Sequence, residues 1–222
     1  MATAGYSASV LVSGTSTAMT DEATTQVGAT KAYYVASLTK RVLDPATAVV
    51  VKDDGVVVSA SNYAIDHLGG RVTFIAAYTV DAAVTLTANY LPTLIVGSAR
   101  GYSFGTSRSM LDTTVFGDVA VDRGAGLADC SGTLDRLEVG TEDLDAGAGT
   151  VTLAAILAAG TYTLVKIVPD TGDTDSFFAC WARLESDALS ADVADLVTAS
   201  LTFQGVVPGN AAQSYWLGDT TA

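Results

Sequence analysis

Apolar and polar residues alternate along much of this chain with a period of two, the repeat of a half-buried β-strand rather than of a helix. The cleanest case lies toward the C-terminus. There Val197, Ala199, Leu201 and Phe203 fall on one face and Thr198, Ser200, Thr202 and Gln204 on the other, closing a series of strand signals over residues 160–205. Upstream, VTLTANY alternates Val84, Leu86, Ala88 and Tyr90 with Thr85, Thr87 and Asn89, and Pro92 stops it. Residues 6–13, KAYYVAS, ATAVVVK, GVVVSAS, the run after Gly69-Gly70 and residues 133–139 also read as strands. Asp53-Asp54-Gly55 between two valine runs predicts a two-residue hairpin, because Gly tolerates the positive φ of such turns. The polar stretch GTSTAMTDEATTQVG reads as an exposed loop, and residues 100–130, rich in Gly and Ser, read as turns and loops. One helix is expected over residues 153–159, capped by Thr150 or Thr152, followed by Gly160 and held to the sheet by Leu153, Ile156 and Leu157. The fold class is mainly β, a β-sandwich or half-barrel with one short packed α-helix.

A length of 222 residues fits one domain, or one domain with a sizeable insertion. Half the chain is apolar (49%) but only 8% is aromatic, so the apolar content is Ala, Val and Leu between Gly-rich turns, which favours sheets over helical bundles. A compositional bias toward small residues accounts for this as well as does burial against neighbouring subunits. The net charge of -13 changes the picture more: a chain so acidic has no broad basic footprint with which to hold nucleic acid. The beginning of the sequence, MATAGYSASV, lacks a basic region followed by an apolar core, so no signal peptide is expected. Neither uncharged window, residues 82–99 nor 146–165, holds the roughly 18 to 20 apolar residues of a membrane span.

Candidate chemistry is sparse. His67 is the only histidine and sits in a turn-like DHLG context; no G-x-S-x-G, GxGxxG or Walker-type loop occurs. Cys130 and Cys180 lie in a Gly-rich turn and an aromatic strand without metal-ligand spacing, and read as two small buried thiols in a reducing cytoplasm. Asp170, Asp173 and Asp175 look like part of a calcium loop but lack the closing Glu, and read as a solvated turn, as do Glu142, Asp143 and Asp145. Asp192 and Asp195 flank the turn before the last strand. No cofactor and no enzymatic activity are expected.

The aromatic strand, ARLESD, the acidic turn SADVAD and the Ser/Thr-alternating strand closing on Phe203-Gln204-Gly205 together resemble the C-terminal part of tail tube (major tail) proteins of long-tailed, siphovirus-type bacteriophages. KRVLDP, the valine hairpin around DDG, the YAIDHLGGRVTF run and NYLP are similar to the N-terminal half of a tail-tube subfamily, and TVFGD and GLADCSG also resemble the pattern. The resemblance covers most of residues 31–205 and implies a single tail-tube domain over 1–222, with a candidate insertion about 29–95; it departs at the two ends, which read as an N-terminal arm about 1–28 and a C-terminal arm about 206–222. It also implies subunits that join into stacked, hexameric rings. The hollow tube so formed surrounds a tape-measure protein, meets tail terminator and distal tail proteins, and lets DNA pass without specific binding. Such a protein is assembled in the bacterial host cytoplasm, resides in the virion tail and has no membrane partner.

Large groups occupy both faces of FFACWARLES, which suits either a ring interface or a sandwich core packed on both sides. The expected interface residues are Phe177, Trp181, Arg183, Glu185, Phe203 and Trp216. Arg183 and Glu185 share a face with Phe177 and Trp181 and are expected to meet opposite charges on a neighbouring element. Two other readings compete: a capsid decoration or other virion surface protein, and a carbohydrate-binding or adhesion module with an aromatic platform around Trp181 or Trp216.

Overall fold

The computed structural model describes residues 9–81, 83–95, 99–112, 123–137, 144–145, 150–151, 157–168, 176–190, 198–209 and 215–219. Within them the chain is mainly β, arranged as two antiparallel sheets with almost no helix, as expected.

Seven strands of the smaller sheet come from one contiguous stretch of chain. They are β2 (Thr17–Gln26), β3 (Ala32–Val35), β4 (Val50–Asp53), β5 (Val56–Val57), β6 (Tyr63–Asp66), β7 (Arg71–Phe74) and β8 (Val84–Tyr90), in the order β5-β4-β8-β2-β3-β7-β6. The stretch is flanked by β1 (Ser9–Ser13) and β9 (Thr93–Ile95), which pair with each other in the larger sheet. The hairpin at Asp53-Asp54-Gly55 has the expected form: Asp53 faces Val56, and Asp54 and Gly55 both take positive φ. β8 buries Val84, Leu86 and Ala88 as its alternation predicts. The segment read as an exposed loop is instead β2, a ten-residue strand lying within the stretch assigned to an N-terminal arm. β2 turns a corner. Its first half pairs with β8 and its last three residues with β3, and the bulge between Met19 and Glu22 places Asp21 at φ 48°. Lys52 reaches Asp21 at 2.7 Å, and its hydrogen bond holds that carboxyl below its ordinary range. The ends of this sheet also meet: Tyr63 on β6 donates its hydroxyl to the Val49 carbonyl before β4. Met19, Tyr33, Val35, Val51, Val72, Phe74 and Leu86 fill the interior.

The larger sheet runs β10 (Ala99–Asp112), β11 (Arg123–Leu137), β16 (Thr198–Gly205), β15 (Ser176–Ser190), β14 (Tyr162–Val168), β1 and β9. β17 (Tyr215–Asp219) pairs with the first half of β15, on the edge that β16 occupies farther along. β12 (Leu144–Asp145) and β13 (Thr150–Val151) form a separate two-residue pairing. This sheet is rolled into a half-barrel. Ile95 at one end of the strand order and Ala99 at the other are four residues apart in sequence, a span of at most roughly 14 Å. Phe104 on β10 touches Phe178 on β15 across two intervening strands, ring centres 5.4 Å apart. Inside the curl lie Val10, Val12, Leu134, Val165, Ile167, Leu184, Leu201 and Phe203. Residues 157–159 are helical, Gly160 follows at φ 60° with its N–H on the Leu157 carbonyl, and Leu157 packs against this core. Leu153, Ile156 and Thr152 lie outside the described residues, and Thr150 belongs to β13. The GLADCSG segment, expected as a loop, is part of β11, because β10 supplies a partner over nearly its full length.

A third cluster joins the sheets. Leu164, Val168, Phe177, Ala179 and Trp181 on the outer face of the half-barrel pack against Val42, Leu68 and Leu91 from the smaller sheet's loops.

Candidate functional site

β15 is the element from which an interface was expected, and the structure divides its residues in two. Phe177 and Trp181 point into the contact between the sheets, and Phe203 on β16 points into the half-barrel; Trp181 is 0% exposed and Phe203 1%. Both faces of the aromatic strand are therefore covered by the chain's own residues, on one side by the curl and on the other by the smaller sheet. The strand is thus packed on both sides, the second of the two readings its sequence allowed, so Phe177, Trp181 and Phe203 are not exposed as the expected interface residues and no aromatic platform is left at Trp181. Arg183 continues the Trp181 face past the edge of this cover, Glu185 is the extra residue of a bulge between Leu184 and Ser186, and both are exposed. Among the described residues neither forms an ion pair. Trp216 sits on β17 opposite Ala179, and its side chain lies outside the described residues.

The place where Arg183 and Glu185 emerge is an edge with no partner among the described strands. β14 begins at Tyr162, opposite Arg183, so residues 184–190 of β15 have a partner, β16, on one side only among the described strands. At that level the sheet is reduced to β10, β11, β16 and β15, and the outer edge of β10 is likewise free of any described strand. Such edges present backbone N–H and C=O groups that another strand can pair with.

At the opposite end the sheet runs out into a ribbon. β16 stops at Gly205, beside Cys130, whereas β10 and β11 continue paired as far as Asp112 and Arg123. The ribbon thus leaves the sheet by about seven residues per strand, roughly 24 Å. Residues 105–112 are all exposed, with Met110 at 64% and Leu111 at 57%. A two-stranded ribbon is marginally stable alone, and none of the described residues covers Met110 or Leu111. Sequence reasoning missed Met110 and Leu111. Gly101, Gly105 and the hydroxyls between them obscure the alternation of Tyr102, Phe104 and Thr106, the only signal that could have found the strand.

Little here suits covalent chemistry. His67 is buried in the turn after β6; burial pushes its pKa down, opposed by Asp66 and Asp44, and its carbonyl accepts from Leu43 N–H. An open cleft of about 310 Å³ between the sheets is lined by Ser13, Asp44, Leu91, Tyr162 and Thr163. Its carboxylate is committed to structure: Asp44 accepts from Ser16 Oγ at 2.5 Å and from Ala46 N–H at 2.9 Å, and bonds Tyr162. Among the described residues no group of three His, Cys, Asp or Glu side chains could hold a metal, and no helix is long and apolar enough to cross a membrane. Asp170, Asp173, Asp175, Glu142, Asp143, Asp192 and Asp195 lie outside the described residues. No protein-family model matches the chain, and no curated protein matches it.

Proposed function

We propose that this chain is the tail tube protein of a long-tailed bacteriophage, a structural virion component that assembles into stacked, hexameric rings around a tape-measure protein. One observation carries the assembly part of this reading: a half-barrel whose four-stranded end has two different edges, β10 and residues 184–190 of β15, that no described strand pairs with. Two unlike edges on opposite sides of one sheet permit a head-to-tail, heterologous contact, which closes into a ring when the rotation per subunit allows. Arg183 and Glu185 lie at one of these edges and help to choose the partner edge. The β10–β11 ribbon projects along the strands, at right angles to that pairing direction, and adds a contact with neighbouring subunits. Tail terminator and distal tail proteins cap the stack, and assembly takes place in the host cytoplasm.

Negative-stain electron microscopy of the purified chain tests this. Rings or tubes that increase with concentration are expected. A stable monomer or trimer at high concentration, with and without assembly partners, favours the virion surface protein instead.

The conduit has a charge requirement as well. With a net charge of -13, the chain repels a polyanion, so passing DNA does not stick. Double-stranded DNA is expected to elute unretarded from the immobilised protein at physiological salt. Retention that weakens steeply with salt would overturn the non-adhesive wall.

A further inference from the structure

We propose that His67 is an acid-sensitive latch between the two sheets: on taking up a proton it drives the turn at residues 66–70 outward, withdraws Leu68 from the sheet junction and loosens the smaller sheet from the half-barrel. This inference stands apart from the tail-tube reading. The turn joins β6 to β7 and has a defined shape. Asp66 accepts through Oδ1 from the N–H groups of Leu68 (3.1 Å) and Gly69 (3.2 Å), and Gly70 takes φ 60° where a Cβ would collide with the Arg41 backbone. On one side the His67 carbonyl accepts the Leu43 N–H at 2.8 Å, and Leu43 belongs to the interior of the smaller sheet. On the other side Leu68 enters the cluster of Leu164, Phe177 and Trp181. His67, 5% exposed, thus sits between the core of the smaller sheet and the contact that joins the sheets.

The imidazole suits this site only while neutral. Its Nδ1 is buried and, among the described residues, has no hydrogen-bond partner. A neutral ring can leave that nitrogen bare, whereas a proton there adds a charge and a donor with nothing to receive it. Charged and titratable groups approach from several elements. Asp66 lies in the same turn, with Arg71 on β7 4.0 Å from its Oδ2; Asp44 follows Leu43 and bonds Tyr162 of β14; Arg41 lays its backbone on Gly70; and Lys166 sits over the Phe177 ring on the half-barrel side. The two carboxylates favour the proton, but burial outweighs them and holds the His67 pKa below the ordinary imidazole value. The sign for stability follows. The opened chain takes up the proton near pH 6.5 and the closed one only at lower pH, so the latch holds fully above about pH 6.5. Below that it weakens as pH falls toward the native pKa, by up to about tenfold in the opening equilibrium per pH unit.

His67 is the only histidine, so its ring protons give a single imidazole titration in the NMR spectrum of the full chain. The expected midpoint in the native protein lies below that of the same chain unfolded in urea. Urea unfolding followed by tryptophan fluorescence should show a lower midpoint at about pH 5.5 than at about pH 7.5, a window above the ordinary carboxylate range. Acrylamide quenching in buffer should rise over the same window, because Trp181 loses cover. His67→Gln, which gains no proton, should unfold at the same urea concentration at both pH values. A native histidine that titrates at or above the unfolded value would overturn the latch, and that measurement needs no variant. An equal fall in His67→Gln would overturn it too, by placing the pH response elsewhere. A lower midpoint in the parent chain with unchanged quenching would overturn the opening at the sheet junction.

Discussion

Trp181→Ala is expected to lower folding stability by about 3–5 kcal/mol, a large share of what a domain typically possesses. The indole is wholly inaccessible, meets the Tyr162 ring edge-on at 5.8 Å and packs among Leu164, Phe177, Val42, Leu68 and Leu91. It therefore lies where the two sheets join. Truncation leaves a cavity that neither sheet can fill without separating from the other, so the loss should exceed that of a buried leucine at the margin of the cluster. Urea unfolding followed by circular dichroism and tryptophan fluorescence measures the effect. A loss under about 1 kcal/mol accompanied by failed assembly would return Trp181 to an intersubunit surface. Arg183→Glu provides the contrast, because its exposed side chain should leave stability within about 0.5 kcal/mol while disrupting assembly.

How well each element could be read from the chain depended on whether one side of it faces a core. β8 and β16 show an apolar face against a polar face, and the pattern alone places Leu86, Ala88, Leu201 and Phe203 inside. The DDG turn was legible because its geometry is local. β2 was not: it turns a corner between two sets of partners, only Met19 along it is fully buried, and its Thr-rich surface resembles loop composition. β10 escaped for a related reason, since a ribbon exposed on both faces needs no alternation and owes its strand form to pairing with β11. The aromatic strand posed the opposite difficulty. Its residues announce burial on both faces, but composition cannot say what covers them, and here the second cover is the chain's own smaller sheet rather than a neighbour. Arg183 remained a candidate because the alternation that buries Trp181 carries it just beyond that cover, and Glu185 because a bulge in β15 leaves it exposed beside Arg183.

The ribbon tip should be the most sensitive point for assembly. The double substitution Met110→Asp and Leu111→Asp is expected to abolish higher-order assembly and leave the monomer folded. Both side chains are more than half exposed, on a ribbon that departs from the sheet beyond the last row shared with β16, so no intramolecular core depends on them. Adjacent residues of a strand point to opposite faces, so Met110 and Leu111 present apolar groups on both sides of the ribbon, as an element inserted between neighbours would. Burying the pair is worth about 4 kcal/mol per contact, about a thousandfold in dissociation constant, and two carboxylates add a desolvation cost to every contact formed. Sedimentation velocity should show the variant as a monomer at concentrations where the parent chain forms large species, with an unchanged circular dichroism spectrum and unfolding midpoint. Rings that persist but fail to stack would confine the ribbon to contacts between rings, whereas undiminished tubes would remove it from the assembly altogether.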